Sequence, residues 1–286
     1  PTATYNNKYS GSQGLHQVYL GVGAEPLRNL SVGVNASYLW GGYTKYVTNT
    51  YSDAYVNTLQ RTYTAEVRSY KLDFGLQYTQ PLSAKDQVTL GLTYSLGHSL
   101  NADPELSVIK NNSQLAVADT THFRISNALD LPHTFGVGAV YNHNGQLMVG
   151  ADYQLQKWGS LDYPQYSDQG YGLQSGLLKD RHKVVLGADY CRGERHRGFL
   201  SRLHYRAGIG YATPYFTING QDGPKEISAS LGLGIPIVNS YNNRSMLNIS
   251  AQWVRREASS MLTENTFRIN IGFTFNERMF AKFKVE

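Results

Sequence analysis

The chain has 286 residues, a formal net charge of +5 and only 16% charged residues, against about 25% in ordinary soluble domains. A single cysteine, Cys191, excludes an internal disulfide and a cysteine-based zinc site, and there is no run of about 18 apolar residues to make a transmembrane helix. A mean hydropathy of -0.40 leaves a membrane protein open, because a transmembrane barrel carries its apolar surface in every second residue.

The first predicted strand spans residues 15–24, with His16, Val18, Leu20, Val22 and Ala24 on one face and Gln17, Tyr19, Gly21 and Gly23 on the other. Successive side chains of a strand point to opposite sides, so this alternation gives one apolar face and one small, polar face. A short turn at 26–29 leads to Leu30, Val32, Val34, Ala36, Tyr38 and Trp40, and residues 44–61 then read as a long polar loop. The third strand carries Tyr70, Leu72, Phe74, Leu76 and Tyr78, and a tight turn at 81–86 returns it as Val88, Leu90, Leu92, Tyr94 and Leu96. From 101 to 130 the pattern blurs into short pieces, at 106–109 and 123–125, that read as a loop or as strand extensions standing off the sheet.

Alternation resumes at Phe135, Val137, Ala139 and Tyr141, turns through Asn142-His143-Asn144-Gly145, and continues through 147–155; Asn-Gly is a strong hairpin signal. After a loop at 158–179, further strands cover 184–190, 203–211, 227–235, 247–253 and 267–275, for a count of eleven. Short connections (26–29, 81–86, 142–145) alternate with long ones (42–62, 98–130, 158–180, 213–223), which is the asymmetry between the periplasmic turns and external loops of outer-membrane barrels. The connections at 191–201 and 237–245 lie on the short side but are longer than that rule wants.

The polar faces hold Gly, Ser, Thr, Asn and Gln with isolated charges. That composition suits a crowded or wet lumen better than a solvated face of a sandwich. Tyrosine and tryptophan gather toward strand ends, as an aromatic girdle requires. The reading is therefore all-β: an antiparallel transmembrane β-barrel in the bacterial outer membrane, residues 1–276, followed by a periplasmic tail, 277–286. Eleven antiparallel strands cannot close on themselves antiparallel, since first and last then run the same way. Single-chain bacterial barrels have even strand numbers, so either a strand hides within 98–130 or strands lie upstream of Pro1.

Lumen-facing charges are the candidate ligand contacts, because arginine and lysine favour carboxylates. Lys71, Asp152, Arg206 and Arg268 are the leading ones, with ion pairs that fill the lumen as the plainer account of the same residues. The basic connector with Arg192, Arg195 and Arg197, and the tail residues Phe280 and Phe283, are candidates for headgroup or partner contact on the periplasmic side. No spacing ties a histidine to a serine, so an enzyme is not expected. Neither a metal nor a cofactor is expected, and nucleic acid is excluded by compartment.

The segments Gly11-Ser12-Gln13-Gly14-Leu15-His16-Gln17-Val18-Tyr19-Leu20-Gly21, Pro26-Leu27-Arg28-Asn29-Leu30-Ser31-Val32-Gly33 and Lys71-Leu72-Asp73-Phe74-Gly75-Leu76-Gln77-Tyr78 resemble the FadL/TodX family of outer-membrane hydrophobic-compound transporters, in its divergent Bacteroidota form. The ending from Phe267 to Phe280 is similar to that family's last strand and tail. The resemblance implies fourteen strands with an N-terminal plug, three strands more than the count above. It also implies passive uptake of hydrophobic molecules such as long-chain fatty acids, with lumenal binding and lateral release. Implied partners are the hydrophobic ligand and membrane lipid, including lipopolysaccharide. The alternative is a barrel of this fold that serves as a subunit of a larger outer-membrane complex.

Overall fold

The computed structural model describes residues 4–53, 55–112, 114–115, 117–167, 170–194, 196–218, 220–238, 244–259 and 263–274. In chain order its strands are β1 (Tyr5–Ser12), β2 (Leu15–Leu27), β3 (Leu30–Tyr51), β4 (Thr58–Pro81), β5 (Asp86–Ser95), β6 (His98–Ser99), β7 (Glu105–Asn112), β8 (Val117–Arg124), β9 (Asp130–Leu131) and β10 (Thr134–His143). They continue as β11 (Leu147–Gln156), β12 (Tyr163–Ser167), β13 (Gly170–Gln174), β14 (Arg181–Tyr190), β15 (His204–Ala212), β16 (Thr217–Ile218), β17 (Gln221–Asp222), β18 (Lys225–Val238), β19 (Arg244–Glu257) and β20 (Glu264–Thr274). One helical turn, α1 (Phe199–Arg202), lies between β14 and β15.

Fourteen strands share one antiparallel sheet. They occupy eleven positions around the wall, as expected from sequence, because β1 and β2 both pair with β3 and because β7 and β8 stand above the wall on β4. The wall order is strictly sequential: β2, β3, β4, β5, β10, β11, β14, β15, β18, β19, β20. Among the described residues, β2 pairs only with β3 and β20 only with β19. Both run from the long-loop end to the short-turn end, so the free edges of β2 and β20 point the same way.

Exposure decides which face is outside. Exposure alternates along β10 and β15: Phe135, Val137, Tyr141, Tyr205, Ile209 and Tyr211 are exposed, while Gly136, Gly138, Arg206, Gly208 and Gly210 are partly buried. Leu231 is 70% and Ile269 79% exposed. A sandwich would bury these side chains against a second layer; a barrel wall presents them to lipid. Among the described residues no helix is long and apolar enough to cross a membrane, and crossing by strands is consistent with that.

Two sequence expectations need correction. Residues 44–61 are mostly not loop: β3 and β4 stay paired up to Asn49 opposite Leu59, leaving only a turn at 52–57. The physical reason is β-branched and aromatic content, with Tyr46, Val47, Thr48, Thr62, Tyr63 and Thr64 favouring extended backbone. The inner side of this extension is also packed: Val47, Ala65 and Val67 are buried, and β7 adds Leu106 and Val108 beside them. The second correction is β1, which sequence reading missed. It continues the first wall position upward beyond a break at Gln13, whose φ is 74°, opposite Gly41.

Candidate lumen and rim sites

The inner mouth carries a cluster of charged side chains. Asp189 and Arg206 face each other across the β14–β15 ladder, where Arg206 Nε donates to Asp189 Oδ2 at 2.7 Å and Nη1 to Asn248 Oδ1 at 2.7 Å. His204, mostly buried, has Nδ1 2.8 Å from Asp189 and Nε2 3.4 Å from Glu194 of the following connector. Gly234 leaves the space that His204 Cβ and Arg206 Nη2 approach. A lumen-side recess of about 350 Å³, lined by Arg206, Ser230, Asn248, Ser250, Gln252 and Asn270, opens next to this cluster.

Lys71 sits near the opposite end of the lumen. Its Nζ lies 2.6 Å from Asp73 Oδ2, and Ser95 Oγ donates to the same carboxylate at 2.5 Å. Four wall strands separate Lys71 on β4 from Arg206 on β15, so the predicted ligand residues do not converge on one point. Both cations hold carboxylates of their own. Asp152 on β11, whose carboxylate occupies the space left by the missing side chain of Gly138, has no ion-pair partner among the described residues. The same holds for Arg268, which faces Gln252 across the β19–β20 ladder.

The outer mouth holds apolar packing that sequence reading did not find. Leu39 and Val67 break the small-polar rule of the inner face, and they pack with Leu100 and Ala102 against Leu129 and Leu131. Val67 is 1% and Ala102 0% exposed. The segments flanking β6 and β9 therefore fold inward over the end of the lumen. Above them the β12–β13 hairpin meets the extended wall through aromatic contacts: Tyr63 with Tyr171 at 6.3 Å, and Phe123 with Tyr166 at 5.9 Å. Burial pushes the Tyr171 phenol up to about 12, and burial raises those of Tyr43 and Tyr163 as well. The base of the hairpin loop is clasped by Lys157 and Asp180, whose carboxylate also accepts from Gly159 N–H at 2.9 Å. The separations involved, such as Tyr63 to Tyr171, leave no periodic signal in a sequence.

At the inner rim the turns bond to one another. Asp86 accepts from Ser83, Tyr141 and His143 at 2.6, 2.6 and 2.7 Å, and these hydrogen bonds hold its carboxyl well below the usual range. Gln146 Nε2 donates to Arg192 O at 2.8 Å. Arg192 and Arg197 are exposed, as are Phe199 and Leu200 in α1. Tyr205, on the lipid-facing side of β15, donates to Leu200 O at 3.1 Å, which fixes α1 on the outer side of the rim. Arg195, Phe280 and Phe283 lie outside the described residues.

An eleven-position wall with an apolar exterior, a small polar interior and a packed outer mouth defines an outer-membrane β-barrel protein of the FadL type. Solved structures share this fold: the CymD monoaromatic hydrocarbon channel has a TM-score of 0.68 at 13% identity, covering 97% of this chain and 78% of that one. The toluene transporter TbuX of Ralstonia pickettii follows with 0.64 at 13% identity, covering 94% and 69%. The toluene transporter TodX of Pseudomonas putida gives 0.62 at 14%, covering 94% and 71%. No protein of curated function matches the sequence. The BamG family model matches residues 1–286, and the chain belongs to the BamG family.

Proposed function

We propose that the chain forms the wall of a passive outer-membrane channel for hydrophobic small molecules, long-chain fatty acids among them, which bind on the lumen side and leave sideways through the wall. The observation that carries this reading is the small, polar lumen itself, whose outer end the buried apolar cluster of Leu39, Val67, Leu100, Ala102, Leu129 and Leu131 overhangs. The fold likeness to hydrocarbon channels supports the same reading. For a ligand with a carboxylate, Arg268 and Lys183 are lumenal cations without an ion pair among the described residues, whereas Arg206 and Lys71 are engaged by Asp189 and Asp73; Arg268 is the first to substitute. Closure of the wall with antiparallel ladders on both free edges takes an odd number of added strands; three gives fourteen. Uptake of radiolabelled oleate into proteoliposomes tests the proposal. Uptake faster than in empty vesicles, reduced several-fold in Arg268→Gln, is expected; a rate equal to that of empty vesicles sinks it.

A second reading, an accessory subunit of an outer-membrane complex, is favoured by the exposed Phe199 and Leu200 beside Arg192 and Arg197 at the inner rim. The same four residues fit contact with inner-leaflet headgroups. Purification from native membranes separates the two: a stoichiometric protein partner lost on the Phe199→Ser/Leu200→Ser change supports the subunit.

A further inference from the structure

The lipid-facing wall carries tyrosine–histidine pairs at its outer rim. Tyr70 stacks on His98 at 4.1 Å; Tyr94 lies 2.8 Å from His133 through its hydroxyl, and Tyr153 lies 2.7 Å from His182 in the same way. Each histidine continues the outward apolar face of its strand: His133 precedes Phe135 and Val137, and His182 precedes Val184 and Leu186. Gly97 N–H also donates to His133 Nδ1 at 3.2 Å. Nδ1 of His133 is therefore an acceptor, and the ring proton sits on Nε2. In His182 the Tyr153 hydroxyl occupies Nδ1 similarly. Neither Nε2 has a protein partner among the described residues, and both rings are exposed.

Lys157 joins them. Its backbone N–H donates to His133 O at 2.9 Å, and its ammonium pairs with Asp180, two residues before His182. His182 is itself level with Leu155 across the β11–β14 ladder. Register thus places His133, Lys157 and His182 on neighbouring strands at the same outer rim, with Asp180 paired to the ammonium. Below this patch a groove of about 440 Å³ runs down the outer wall, lined by Leu76, Leu92, Phe135 and Val137 between Tyr94 and Tyr153. It continues into a second recess of about 510 Å³ that shares Leu76, Leu92, Val137 and Tyr153.

We propose that this face of β5, β10, β11 and β14 is a binding site for an outer-leaflet glycolipid with a phosphorylated head group. The phosphate accepts from His133, His182 and Lys157, and an acyl chain lies in the groove beneath. Charge-assisted hydrogen bonds to phosphate are the strong class of such contacts. The groove supplies apolar area directly under the donors, at the depth where a lipid's chains begin. An apolar molecule without a phosphate uses the groove and leaves the three donors unanswered.

Native mass spectrometry of the full chain in detergent tests this, with bis-phosphorylated lipid A, its dephosphorylated form and phosphatidylglycerol as probes. The unaltered protein is expected to retain one phosphorylated lipid A per chain, with retention at least about tenfold lower for the dephosphorylated form, which answers none of the three donors. The His133→Leu/His182→Leu double variant, which removes both N–H donors, is expected to show a similar fall at unchanged heat-modifiable migration. Equal retention of both lipid A forms by the unaltered protein overturns the site without any variant. Undiminished binding by the folded double variant overturns the assignment of the two histidines. Phosphatidylglycerol held as firmly as lipid A overturns the choice of an outer-leaflet glycolipid.

Discussion

Arg206 and Asp189 face each other across one ladder and join at 2.7 Å, so a cation that sequence marks for a ligand is held by the wall itself. The carboxylate is mostly buried, and removal of the guanidinium leaves it with His204 alone. Arg206→Ala is therefore expected to destabilise the barrel by about 2 kcal/mol, the order for a hydrogen bond to a charged group. Arg268→Ala, which breaks no ion pair among the described residues, should stay within about 0.5 kcal/mol. Urea unfolding in lipid vesicles, followed by tryptophan fluorescence, checks both. Equal losses would show that the pair contributes nothing.

The aromatic cap predicts a late phenol titration. Burial raises Tyr171 to about 12 from an ordinary 10. A raised folded-state value means that the contribution to stability is complete below pH 10 and is lost as pH climbs through 12. Absorbance at 295 nm should show a group of tyrosines ionising after the rest, and Tyr171→Phe should shrink that last step. A single uniform titration with the ordinary midpoint would count against the cap.

Gly41 is a test of backbone geometry. Its φ is +129°, and a Cβ there would run into the backbone carbonyl of Gly14, where β1 gives way to β2. Gly41→Ala is expected to cost about 1–3 kcal/mol through strain. Gly91→Ala, with open space around the new methyl, should change stability by less than about 0.5 kcal/mol. The same unfolding assay compares them.

Orientation is open to chemical labelling. Cys191 is 2% exposed, so it gives little background. A membrane-impermeant maleimide added to intact cells should react with Ser52→Cys and Ser175→Cys and leave Arg197→Cys unmodified. The opposite pattern reverses the inside and outside assigned by loop length.

The wall was legible because its period is strict: Tyr205, Ala207, Ile209 and Tyr211 alternate with Arg206, Gly208 and Gly210, residues too small or polar to be mistaken for a core. Legibility failed where the inner face stops being polar. Leu39 and Val67 turn inward to meet Leu100 and Leu129, and that contact spans two excursions of the chain. The 44–61 segment misled because its threonines read as polar loop although they are good strand formers. The candidate site was legible as a set of lumen-facing charges, with Lys71 and Arg206 correctly placed on the inner face. Their partners, Ser95 for the first cluster and Asn248 for the second, come from register, and register lies beyond composition. The histidine rim was invisible for the same reason, since Tyr94 and His133 are 39 residues apart.

The strictly sequential wall has a kinetic consequence. Every ladder from β2 to β20 joins neighbours in the chain, and the largest excursion to be spanned is the 96–133 segment between β5 and β10. Loop-closure entropy grows only logarithmically with length, so each new strand can zip onto its predecessor with no long search. Assembly can therefore proceed strand by strand in chain order, each new ladder forming on the one before it.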